Sequence, residues 1–114
     1  MKLNTSRRSA FTLVEIMIVV AIIGLLAAIA IPNFIKAREA SQKSACIANL
    51  KQIEGAKVTF ALENKKVNTT TVTDGDLFGD TLYIREKPAC PAAGTYDLKT
   101  VAVKATCTIS GHSI

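Results

Sequence analysis

Between Ile16 and Ile31 the chain has no charged and no polar side chain. With its flanks this run covers residues 11–35, FTLVEIMIVVAIIGLLAAIAIPNFI. As a helix it spans about 37 Å, more than the roughly 30 Å of hydrocarbon in a bilayer. A chain of 114 residues cannot wrap such a segment in a soluble core and still build a domain from the remainder. The run is therefore expected to be a membrane segment.

Composition supports that reading. Hydrophobic residues make up 49% of the chain, and the excess lies near the N-terminus. The 14 Lys and Arg against 9 Asp and Glu give a net charge of +5. Lys2, Arg7 and Arg8 supply three of the 14, so 11 basic residues face 9 acidic ones from Phe11 onward, a net +2. That balance, 5% aromatic residues and no Trp give no support for nucleic-acid binding. The basic start places Arg7 and Arg8 in the cytoplasm and the C-terminus outside. In that outer compartment two of the three cysteines, Cys46, Cys90 and Cys107, can stay oxidised.

Four pieces follow. Residues 1–10 are polar and basic, and residues 11–35 are the apolar helix. Residues 36–66 continue it as an amphipathic helix, with Cys46, Leu50, Ile53, Ala56 and Phe60 on one stripe and Ile47 beside them. Lys43, Lys51, Glu54, Lys57 and Glu63 fall mostly off that stripe, and Asn64-Lys65-Lys66 reads as the stop. Residues 67–114 form a small β-rich part. Asp74 is placed to cap a turn over Gly75–Phe78, and Thr81–Arg85, Thr95–Lys99 and Val101–Ile109 read as strands. In the last, Val101, Val103, Ala105, Cys107 and Ile109 alternate with polar residues. The expected class is α+β: a long N-terminal helix packed against a small antiparallel sheet.

Arg7-Arg8-Ser9-Ala10-Phe11-Thr12-Leu13-Val14-Glu15 resembles the cleavage site of type IV prepilins and type II secretion pseudopilins. The resemblance runs through Asn49-Leu50-Lys51-Gln52-Ile53, about the first sixty residues, and is weaker beyond. Ala10 stands where the family usually has Gly. The resemblance implies a pilin-like fold, removal of residues 1–10 by a prepilin peptidase cutting between Ala10 and Phe11, and methylation of the Phe11 amine. It also implies an inner-membrane, single-pass subunit with its C-terminus outside. An assembly platform and ATPase would build it with copies of itself into a helical filament, at the cell surface or in the periplasm. Phe11, Thr12 and Glu15 would be the docking residues, with Glu15 attracting the Phe11 amine of a neighbour. A carboxylate within an apolar helix costs about 2.5–3.5 kcal/mol at the bilayer centre, so Glu15 either pairs or snorkels to the headgroups. Gly24 and Pro32 would bracket a stretch that loses helical form on assembly; otherwise Pro32 marks where the helix leaves the bilayer.

Type IV pilins often carry a C-terminal disulfide, which implies pairing of Cys90 with Cys107, worth about 3 kcal/mol, with Cys46 a core residue. A zinc site from Cys90, Cys107 and His112 is set behind that pairing, because there is no Cys-x-x-Cys pair and only one His. Some pseudopilins hold calcium in a C-terminal loop; Asp74, Asp76 and Asp80 form an acidic loop, but without EF-hand spacing. Capping and turn roles are preferred for them, and no cofactor is expected. Asn68-Thr69-Thr70 is taken as a chance sequon.

A structural filament subunit without catalysis is thus the leading expectation, with a type II secretion pseudopilin as the alternative. A tethered enzyme finds no clustered catalytic set. A small exported protein cut after Ala28-Ile29-Ala30 would need a shorter apolar core without Glu15.

Overall fold

The computed structural model describes Lys2 and residues 10–114. Arg7, Arg8 and Ser9 of the expected leader lie outside the described residues. The chain divides into two units between Lys36 and Ala37. A single helix, α1 (Leu13–Glu63), runs through that boundary, and Pro32 sits inside it without ending it.

In the first unit every described residue from Phe11 to Ile35 is exposed except Ala27, which is intermediate. This part of α1 has a mean hydropathy of 2.9 over its best window and is long and apolar enough to cross a membrane. Side chains that bury nothing against their own chain need lipid or another chain as solvent.

The second unit is α+β, with its core on the later turns of α1. Cys46, Leu50, Ile53, Ala56 and Phe60 are all buried, as the helical period predicts. They meet Val72, Leu77, Ile84, Cys90, Tyr96, Leu98 and Ala105. Phe60 and Tyr83 pack edge to face with centroids 6.2 Å apart. Lys57 is also fully buried, contrary to its expected place off the stripe.

α1 ends at Glu63, and Lys65 follows in the left-handed region at φ 51°. The Lys66 N–H donates to the Ala61 carbonyl at 2.9 Å, closing the helix with a 6→1 bond. A short helix, α2 (Asp74–Leu77), has Thr73 rather than Asp74 as its N-cap. The Asp76 carboxylate accepts from the Thr73 N–H and hydroxyl, both at 2.8 Å. Those bonds hold its pKa below the usual 3.8.

The sheet is much smaller than the sequence pattern suggests. Strands β1 (Tyr96–Asp97) and β2 (Thr106–Cys107) pair antiparallel, Tyr96 opposite Cys107 and Asp97 opposite Thr106. In place of a strand over Thr81–Arg85 there is a single bridge between Phe78 and Ile84. Residues 101–104 leave the expected alternation, and Val103 is 51% exposed. The reason lies on α1. The Val103 carbonyl accepts from Lys57 Nζ at 2.6 Å, and the Ala105 N–H donates to Glu54 Oε1 at 2.6 Å. Helix side chains hold the backbone groups a neighbouring strand would need. From Ala105 to Ile109 the alternation of inward and outward residues is present.

Candidate functional site

Two groups of residues carry chemistry, one in each unit. The first lies where α1 begins. Ala10 and Phe11 precede the helix, and Phe11 is 82% exposed. The Thr12 N–H donates to Glu15 Oε2 at 3.1 Å, and the Glu15 N–H donates to Thr12 Oγ1 at 3.2 Å. This reciprocal pair is a capping box. It satisfies two N–H groups that the first helical turn leaves without partners. It also fixes the only carboxylate of this stretch just ahead of the uncharged run from Ile16 to Ile31. The Thr-x-x-Glu spacing signals such a box in sequence, a role that reading Thr12 and Glu15 as docking residues passed over. Gly24 and Pro32 both lie within helical backbone.

The second group is in the other unit. Cys46 comes from α1, Cys90 from the turn before β1, Cys107 from β2 and His112 from the C-terminal turn. Their ligand-capable atoms all lie within 4.8 Å of one another. Cys90 Sγ is 3.7 Å from His112 Nδ1. The structure carries all three cysteines as free thiols, so the expected Cys90–Cys107 bond is not formed in it. Cys46 is the core residue expected from the stripe, and its sulfur also lies beside the other two.

Local backbone explains this meeting. The Ala93 N–H donates to the Cys90 carbonyl at 3.0 Å, and Ala93 has φ 63°, so the chain reverses over Cys90-Pro91-Ala92-Ala93. Gly94 then passes directly over the sulfurs. A Cβ there would lie 2.7 Å from Cys107 Sγ and 3.3 Å from Cys90 Sγ, closer than a side chain tolerates. Burial pushes the Cys46 thiol up to about 12, with Tyr96 opposing. Burial would raise Cys90 too, but the Ala92 and Gly94 N–H groups, His112 and Cys46 stabilise its thiolate and bring it down to about 6. Asn49 Nδ2 donates to Tyr96 Oη at 3.1 Å and so orients the phenol beside Cys46.

The acidic loop is arranged otherwise. Asp74 pairs with Lys87 at 2.7 Å, Asp76 serves Thr73, and Asp80 lies 3.7 Å from Arg85. Each of the three carboxylates is thus engaged by a different partner.

An exposed apolar helix start, capped by Thr12 and Glu15 and continuing into a small α+β unit, defines a pilin-like protein. The family model for the prokaryotic N-terminal methylation motif matches residues 5–31. The chain is 53% identical over 60 residues to the type IV major pilin protein PilA of Myxococcus xanthus, covering 53% of this chain and 27% of that protein. It is 36% identical over 64 residues to the type II secretion system core protein G of Klebsiella pneumoniae, covering 56% and 46%. To the type IV wide pilus major component PilA4 of Thermus thermophilus it is 31% identical over 103 residues, covering 90% of this chain and 72% of that one. The chain belongs to the type IV pilin and type II secretion pseudopilin family. It spans less than half the length of the first two of these relatives. No solved structure matches it.

Proposed function

We propose that this chain is the structural subunit of a type IV pilus-like filament, held in the inner membrane by α1 before assembly and without catalysis of its own. The observation that carries this reading is the bare apolar stretch from Leu13 to Ile35 with Glu15 capped at its start. In a filament such helices pack on one another, and a carboxylate among them requires a cation. A prepilin peptidase cutting between Ala10 and Phe11 supplies one, the new α-amine, which in model peptides titrates near 8. Pairing of Glu15 with the Phe11 amine of a neighbour offsets the cost of burying either and sets the axial step between subunits. The segment between Gly24 and Pro32 is the part of α1 best suited to unwind on packing, since Pro32 donates no backbone hydrogen bond. The relatives named for type II secretion favour a second reading, in which the same assembly forms a short periplasmic filament.

Glu15→Gln keeps size and polarity but removes the charge. The variant is expected to be made, cut and inserted as wild type, yet to appear as membrane-bound monomer rather than sheared filament. Equal filament yield from the two, at equal expression, removes the docking role from Glu15. Shearing intact cells also separates the two readings: filament released into the medium supports a pilus, and filament retained in the periplasm supports a pseudopilus.

A further inference from the structure

The geometry points to a structural zinc site formed by Cys46, Cys90, Cys107 and His112 in the second unit. A disulfide employs two of these four residues and leaves the convergence of the others unexplained. A tetrahedral zinc ion employs all four. With Zn–S bonds of about 2.3 Å and Zn–N bonds of about 2.0–2.1 Å, ligand atoms lie about 3.6–3.8 Å apart. The observed separation between Cys90 Sγ and His112 Nδ1 is 3.7 Å, and no pair in the set exceeds 4.8 Å. Three sulfurs and one imidazole, mostly buried, match the donor set of closed structural zinc sites. The outer contacts fit as well. Asn49 positions Tyr96 beside Cys46, and the Gly94 backbone closes over Cys90 and Cys107 where any Cβ would block the approach. In the complex all three sulfurs are thiolates and His112 gives a lone pair; the protons still on the thiols leave to solvent, and nothing is oxidised or reduced.

The site would tie α1 to the turn before β1, to β2 and to the C-terminal turn, and it is independent of how subunits assemble. It is tested on the full-length chain in detergent, reduced and stripped of metal, then titrated with Zn²⁺ and, as an optical probe, with Co²⁺. One equivalent should bind, and cobalt should give the visible bands of a tetrahedral thiolate site. Loss of an outer partner typically weakens metal binding about 10–100-fold, so losing a ligand in Cys46→Ser or His112→Ala should weaken zinc binding by more than that. Cys46→Ser discriminates, because a Cys90–Cys107 disulfide does not need Cys46. A folded Cys46→Ser chain that binds zinc as tightly as wild type overturns the site. Wild-type protein isolated from cells without reductant gives a test that needs no variant. Its three thiols should resist alkylation until a chelator is added. Free alkylation before the chelator overturns the proposal, as does an intact mass lighter by the two hydrogens of a Cys90–Cys107 bond with Cys46 alone alkylated.

Discussion

Lys57 has no exposed surface, yet its charge is fully accounted for. Its Nζ donates to Glu54 Oε1 at 2.9 Å and to the Val103 carbonyl, while the same Glu54 oxygen accepts from the Ala105 N–H. One residue pair thus holds a helix, two backbone groups and a buried ammonium together. Removing one member leaves the other charge without compensation, which costs about 3–5 kcal/mol in buried pairs. Glu54→Ala should therefore lower stability by about that amount, read as a shift in the urea midpoint of the full-length chain in detergent. Lys57→Met, which replaces the ammonium with an apolar chain of similar length, should cost less. The helical period made Cys46, Leu50, Ile53, Ala56 and Phe60 legible because burial there follows hydrophobicity. Lys57 was not legible, because a lysine stem buries as readily as an aliphatic one once a carboxylate and a carbonyl meet its tip. The sulfur cluster was half legible: Cys90, Cys107 and His112 could be grouped from their nearness in sequence, whereas Cys46 joins them only through tertiary packing.

Among the elements, the ends of α1 follow local chemistry closely. Its start is the Thr12–Glu15 box, and its stop falls at the Asn64-Lys65-Lys66 segment named from sequence. Lys65 holds the left-handed conformation that glycine adopts without steric cost. Lys65→Gly should raise stability, by about 1 kcal/mol at most, because the strain relieved is partly offset by a more flexible unfolded chain. A thermal melt of the two proteins under one detergent condition measures it; a lower melting temperature would show that the Lys65 side chain contributes more than its backbone costs. The strands were less legible. Alternation from Val101 to Ile109 is what a paired strand shows, but pairing also needs free backbone groups, and α1 side chains hold those of Val103 and Ala105. On the other strand, Lys99 turns to φ 58° and its N–H donates to Asp97 Oδ1 at 3.1 Å, ending β1 after Asp97. Hydrophobic pattern reports which face is inward; it does not report which partner takes the hydrogen bonds.

At the scale of the molecule, among the described residues every buried hydrophobic one lies at Cys46 or later, and none before Ala37 joins the core. A chain beginning at Ala37 should fold and stay in aqueous solution without detergent, with dispersed amide resonances. A collapsed amide spectrum would mean that the membrane half of α1 is needed for folding. The same distribution bears on how copies of this chain meet. A strand edge presents open N–H and C=O groups on which another chain can zip, and proteins crowded side by side aggregate through such edges. Here β1 and β2 are two residues long each, the other rungs are single bridges, and backbone groups just before β2 are already engaged by Lys57 and Glu54. The globular part gives a neighbour almost nothing to template on. Cross-β growth is thereby starved of a seed, and in the filament proposed above the bare apolar stretch from Leu13 to Ile35 is what remains for contacts between copies.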